Sequence, residues 1–159
     1  MYPHSLKYVQ YASKSYLAVA SIFLIQANFK SALEAAEVTL KFLPTRVEAN
    51  IIRTKSLFQL KRFAAGRESL RRTLELNDLS DSMGLELVEW CVDSLDFSTA
   101  HSEAEHAKMI SIVKEAYVKL QARFPTRELI VVSELRTMTK HKLLQLGIEH
   151  LDRGRSMES

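Results

Sequence analysis

Two stretches of the chain match each other at a spacing of 34 residues, and this repeat restricts the possible folds more than any other feature. The first stretch runs from Ala27 to Pro44 and the second from Lys61 to Asp78. Matching residues stay in register: Phe29 with Phe63, Glu34 with Glu68, Thr39 with Thr73 and Leu40 with Leu74. A period of this length is typical of a helical hairpin that cannot bury its apolar faces alone, so stacked copies share one core. The sequence therefore predicts an all-α fold of stacked hairpins.

Both helices of the first hairpin are visible in the pattern of apolar residues. The first helix has an apolar stripe at positions i, i+3, i+4 and i+7: Tyr16, Val19, Ala20 and Phe23. Asn28 marks the turn. The inner side of the second helix carries Ala32, Leu33, Ala36, Leu40 and Leu43. Pro44 ends this helix because proline lacks the backbone donor that would continue it.

At these residues the chain resembles the tetratricopeptide repeat family. The places of the family pattern hold Tyr16, Val19, Ala20, Phe23, Phe29, Ala32, Ala36, Thr39 and Pro44. The second unit keeps Leu57, Phe63, Gly66, Leu70, Leu74 and Leu76. It departs from the pattern at Arg53 and Thr54, where Leu and Gly are usual, and at Asp78, which replaces Pro. The resemblance covers residues 15–78 and implies a right-handed superhelix of antiparallel hairpins.

The remaining chain is predicted to extend this stack within a single domain over residues 1–152. The predicted units are 13–46, 47–79 and a degenerate 80–124, followed by a C-terminal helix or hairpin at 126–152 and a polar tail at 153–159. In the third unit an apolar stripe over 82–97 contains Leu85, Val88, Cys91, Val92 and Leu95. A long helix over 102–124 opens with a capping box formed by Ser102 and Glu105. The segment 126–152, one helix or a hairpin broken near Lys140, would cap the stack.

Composition limits the environment of the chain. Its 159 residues suffice for one domain with its own core. A single cysteine excludes an internal disulfide and a multi-cysteine zinc site, so we expect a reducing, intracellular and cytoplasmic location. A mitochondrial location is the alternative because no acidic residue precedes Glu34. The longest uncharged run, between Lys14 and Lys30, is too short to span a membrane.

The sequence predicts neither catalysis nor a cofactor. Phosphate-binding loops, metalloprotease motifs and zinc spacings are all absent. His101, Glu103, Glu105 and His106 could present metal-binding groups, but acidic residues at a helix start are simply explained by the helix dipole. Cys91 lies on an apolar stripe, and we interpret it as a core residue.

The resemblance implies a function in protein binding. In the family, first helices line a concave groove that receives a peptide or a helix; in this register the groove residues are Lys14, Leu17, Ser21, Leu24, Glu48, Ile51, Lys55 and Phe58. We expect a scaffold, adaptor or complex subunit whose apolar groove binds a helix or extended segment. Alternatively, later helices of the chain fill the groove. The carboxylate clamp of chaperone-binding members is missing, since Leu17, Ser21 and Ile52 occupy its places.

A basic stretch in the second unit suggests a different class of partner. Residues 61–72 read KRFAAGRESLRR, and a helical repeat protein could use them to bind RNA or an acidic protein. The net charge of +3 is low for a dedicated nucleic-acid binder. Pairs at i, i+4, Glu68 with Arg72 and Arg71 with Glu75, favour a solvated helix face instead.

Overall fold

A computed structural model describes residues 3–95 and 102–125 of the chain. These residues form six α-helices joined by turns and loops, and they contain no strand. The prediction of an all-α fold is confirmed to this extent. The predicted C-terminal helix or hairpin at 126–152 and the polar tail at 153–159 lie outside the described residues.

The helices fall into two compact units, one ending at Ser80 and the other beginning at Asp81. Unit 1 contains α1 (Pro3–Ile25), α2 (Phe29–Phe42), α3 (Val47–Gln59) and α4 (Phe63–Leu74). Unit 2 contains α5 (Asp81–Ser94) and α6 (Glu103–Arg123). The division after Ser80 lies one residue beyond residue 79, where the second repeat is predicted to end. The first helix is longer than predicted, since it begins well before residue 13.

In unit 1 each helix packs on its successor, and α1 also contacts α3. Small side chains dominate the contact between the first three helices. The buried cluster there consists of Ala20, Ala32, Ala35, Ala36 and Ile52. Alanine lets helix backbones approach closely, so the larger Leu17, Phe23 and Leu24 pack around the edge of the cluster.

The turns inside the two hairpins have the same backbone conformation. Ala27 and Lys61, which stand 34 residues apart, both have a φ of 59°. After α1 the Asn28 N–H donates to Phe23 C=O over 2.8 Å and the Ala27 N–H to Leu24 C=O over 3.0 Å. After α3 the equivalent bonds are 2.9 Å from Arg62 to Leu57 and 3.0 Å from Lys61 to Phe58. Both sets form the Schellman motif that ends many helices, so the repeat seen in the sequence is also present in the backbone.

The loop between the hairpins is fixed by Asn50, which is buried in α3. Its Nδ2 donates to Pro44 C=O over 3.1 Å and to Arg46 C=O over 2.8 Å. These two bonds satisfy both hydrogens of the amide nitrogen and hold the start of α3 against the end of the loop. The proline that ends the second predicted helix therefore also contributes its carbonyl to the next hairpin.

Unit 2 is a pair of contacting helices with an apolar interior. Its most deeply buried side chains are Leu87, Val88, Cys91, Val92, Leu95, Val113 and Leu120. The predicted core position of Cys91 is confirmed, since the residue is 1% exposed. The predicted cap of the second helix is also present: the Glu105 N–H donates to Ser102 Oγ over 3.2 Å. The helix ends at Arg123, directly before Phe124 and Pro125.

Candidate protein-binding surface

The residues predicted to line a concave groove differ widely in exposure. Lys14 and Glu48 are exposed. The half-buried members of the set are Leu17, Ser21, Leu24, Ile51 and Lys55. Leu17 and Leu24 pack against the alanine cluster, so part of their apolar surface already serves the core. The seven residues other than Phe58 keep some access to solvent.

Phe58 does not line an open surface, and its assignment to the groove is wrong. The side chain is 1% exposed and lies in edge contact with Phe63, their ring centroids 6.0 Å apart. A Cβ added to Gly66 would lie 3.0 Å from two carbons of the Phe58 ring. The first hairpin has Leu24 and Ala32 at the equivalent positions. Because Gly66 has no Cβ, there is room beside it for the large Phe58 side chain of α3. Phe58 therefore lies in the core.

Thr54, where the family pattern has glycine, belongs to a buried hydroxyl cluster between α3 and α4. Its Oγ1 donates to Asn50 C=O over 2.8 Å and lies 2.7 Å from Ser69 Oγ. Thr73 Oγ1 donates to Ser69 C=O over 2.7 Å and lies 3.3 Å from Thr54 Oγ1. The three hydroxyl residues are at most 1% exposed. With no base among these contacts, the cluster joins the two helices and has no catalytic arrangement.

Most of the exposed large apolar side chains described in unit 1 lie on α1. Five of its side chains are between 41% and 85% exposed: Tyr11, Tyr16, Val19, Ile22 and Ile25. We call these five residues the outer face of α1. The predicted apolar stripe of this helix is therefore only partly correct. Ala20 is fully buried, whereas Tyr16 and Val19 are 44% and 41% exposed.

Residues of the outer face can be compared with the equivalent residues of α3, which are buried. Because the repeat spacing is 34, Tyr16, Ala18 and Ile22 of α1 correspond to Asn50, Ile52 and Ser56 of α3. The three α3 residues are at most 5% exposed, and Ile52 belongs to the cluster that includes α2 alanines. The α1 residues at these places are all exposed. The side of α3 that the preceding helix helps to bury is thus uncovered on α1.

The charged side chains of α1 itself have one sign. The helix from Pro3 to Ile25 contains no acidic residue and two lysines, of which Lys14 is exposed. The next charged residue along the chain is Lys30, and the first acidic one is Glu34. A partner that covers the outer face therefore meets apolar side chains bordered by positive charge.

The other predicted candidates form no metal site among the described residues. Among the described residues there is no group of three His, Cys, Asp or Glu side chains that could hold a metal ion. The side chains of His101 and His106, named as possible ligands, lie outside that description. In the basic stretch Glu68 is predicted to pair with Arg72. It pairs instead with Arg71 at i+3, where Arg71 Nη1 lies 3.2 Å from Glu68 Oε2. RNA binding through this stretch stays a prediction.

Comparison with known proteins adds no assignment: no family model, no curated protein and no solved structure matches the chain. Within 3–95 and 102–125, none of the helices combines the length and the apolar character that crossing a membrane requires. The interpretation of the outer face therefore depends on the geometry and composition of this chain alone.

Proposed function

We propose that the protein is a non-catalytic interaction module, a subunit or adaptor of a larger assembly, and that it binds an amphipathic helix on the outer face of α1. According to this proposal, unit 1 consists of two tetratricopeptide-like hairpins. The supporting observation is the row of large apolar side chains that α1 leaves exposed. Several large exposed apolar side chains on one helix are typical of a binding site, because their transfer out of water stabilises a complex.

A helix is the ligand that best fits this surface. In unit 1 the second helix of one hairpin lies on the first helix of the next, as α2 lies on α3. Since α1 corresponds to α3, a ligand helix in the same relative position would cover Tyr16 and Ile22, whose counterparts Asn50 and Ser56 are buried. Burying Tyr16 and Ile22, which are 44% and 53% exposed, contributes roughly 2 kcal/mol before the cost of ordering the partner.

The charge on α1 favours an acidic ligand. A helix with acidic residues beside its apolar stripe would face Lys14 and a helix without acidic residues. Complementary charges raise the association rate and disfavour basic competitors. The same argument disfavours direct pairing of α1 from two copies of this chain, because like charges would then face each other.

The concave residues remain a possible extension of this site. Leu17 and Ser21 adjoin the outer face on the same helix, and Ile51 lies on α3. All three are half-buried, so each has less apolar surface to contribute than Ile25. A ligand centred on the outer face can reach them, whereas one centred on the concave side leaves the most exposed residues uncovered.

Partner capture by matched variants tests the proposal. The variant Ile22→Glu with Ile25→Glu places two carboxylates in the outer face. The control, Ala64→Glu with Ala65→Glu, adds the same charge at exposed positions of α4. We expect wild-type protein and control to recover the same proteins from the native source, as quantified by mass spectrometry, and the α1 variant to lose them. Equal recovery by the α1 variant, with unchanged helicity by circular dichroism, would exclude the outer face as the binding site.

A further inference from the structure

A recess in unit 1, distinct from the outer face of α1, gathers basic side chains from three helices. Its volume is about 220 Å³, and it is lined by Glu37, Leu40, Lys41, Pro44, Asn50, Arg53 and Arg72. Lys41 comes from the end of α2, Arg53 from α3 and Arg72 from the last turn of α4. Residues far apart in the sequence therefore form one basic recess.

The charges in this recess are not balanced. Its lining contains three cationic side chains and one carboxylate, that of Glu37. The Nε of Arg53 lies 3.9 Å from Glu37 Oε1, which allows an ion pair but is too long for a hydrogen bond. Lys41 and Arg72 form no ion pair with any described residue. Two positive charges of the lining are thus left without a counter-charge.

A buried donor in the recess also lacks an acceptor. The Arg53 Nε is shielded from solvent and has no hydrogen-bond partner among the described residues. Leaving such a group unpaired is costly, more so for a charged one, and unpaired buried groups often mark the place where an ion or a ligand binds. The Nε itself is shielded, but 27% of the arginine side chain is exposed, so a ligand in the recess can contact that exposed part.

We propose that this recess binds a phosphate group. A phosphate monoester carries between about −1.5 and −2 charges near neutral pH, which matches the two uncompensated positive charges. It also offers several acceptor oxygens, and arginine is well suited to binding them. A carboxylate would neutralise only one of the charges. Asn50 supports the site indirectly, because its bonds to Pro44 and Arg46 hold one wall of the recess in place.

The phosphate could be inorganic phosphate or a phosphorylated side chain on a peptide. Both present the same group to Lys41, Arg53 and Arg72. The proposal is independent of the outer face, because none of the lining residues belongs to α1. Loss of one function by mutation therefore leaves the other measurable.

Titration of the full-length chain with inorganic phosphate, followed by NMR, tests this site. We expect a saturable shift of the Arg53 Nε–Hε signal relative to sodium chloride of equal ionic strength. Arg72→Gln and Lys41→Gln should each weaken the apparent affinity about tenfold or more, since each removes one charged contact. Arg62→Gln is the matched control: Arg62 is an exposed arginine of the same basic stretch and is not part of the lining.

A second titration distinguishes the two sources of phosphate. A phosphoserine peptide that shifts the same signal and competes with inorganic phosphate would assign the site to a phosphorylated partner. A peptide that fails while inorganic phosphate binds would assign it to the free ion. The proposal is overturned if phosphate causes no saturable shift, or if Arg62→Gln weakens binding as much as Arg72→Gln, because the effect would then be general charge attraction.

Discussion

The contact between Phe58 and Gly66 gives the sharpest prediction about the core of unit 1. In an isolated helix, Gly66→Ala stabilises by about 1 kcal/mol, because alanine is the better helix former. Here the new Cβ would lie 3.0 Å from two carbons of the Phe58 ring, whereas favourable carbon contacts are about 3.5 to 4.0 Å apart. The ring is buried beside Phe63 and has little room to move. Overpacking of this kind costs about 1 to 3 kcal/mol, so we expect Gly66→Ala to destabilise the protein by about 1 kcal/mol.

Replacing the phenylalanine should reverse the sign of this effect. The first hairpin carries the pair Leu24 and Ala32 where the second carries Phe58 and Gly66. In a Phe58→Leu background the clash is removed, and Gly66→Ala should stabilise by about 1 kcal/mol. The expected coupling energy is therefore about 2 kcal/mol.

Urea unfolding of the four proteins of this cycle, monitored by circular dichroism, gives the free energies of unfolding. The m-values should stay constant, so that differences in the midpoint report stability alone. If Gly66→Ala stabilised the wild-type protein and the Phe58→Leu variant equally, the two residues would not be in the contact described here. The reason given for the burial of Phe58 would then be wrong.

Two further predictions concern the hydroxyl cluster of the second hairpin and the left-handed turns of both hairpins. Thr54→Val should destabilise the protein by about 1 to 3 kcal/mol, because it leaves the buried hydroxyl of Ser69 without an acceptor. Adding Ser69→Ala should recover most of this loss. A Thr54→Val variant as stable as the wild-type protein would contradict this network. Lys61→Gly and Ala27→Gly should each raise the free energy of unfolding by up to about 1 kcal/mol, because both residues have a φ of 59° that glycine adopts without strain. Thermal unfolding of the two glycine variants checks this, and a lower midpoint for both would argue against the left-handed turns.

The hairpins could be predicted from sequence because their signals are local. The 34-residue spacing, the proline after α2 and the serine cap of α6 depend on neighbouring residues and on simple backbone rules. Asn28 lies between α1 and α2, where the sequence predicts the turn. Asn28 caps α2 by accepting from the Ser31 N–H over 3.4 Å, whereas the left-handed residue is Ala27. Helix propensity gives no indication that an alanine will take that conformation.

The exposed surface could not be predicted in the same way. Periodicity shows that Tyr16 and Val19 are apolar, but their burial depends on whether another helix covers that side of α1. Repeat register alone predicts that Phe58 lines the groove. The sequence does contain one signal against this: Gly66 stands where the first hairpin has Ala32, and a glycine leaves room for a larger neighbouring side chain. The basic recess has no local signal, because Lys41 and Arg72 meet only in the folded chain.

Site-directed photo-crosslinking from the outer face of α1 tests the central claim most directly. A photoreactive residue at Ile22 lies within the proposed site, and one at Ala65, exposed on α4, is the control. We expect position 22, but not position 65, to crosslink to a partner in the native source. The crosslinked peptide should come from an amphipathic helix with acidic residues beside its apolar stripe. Crosslinking from position 65 alone, or to a basic or extended segment, would contradict this claim.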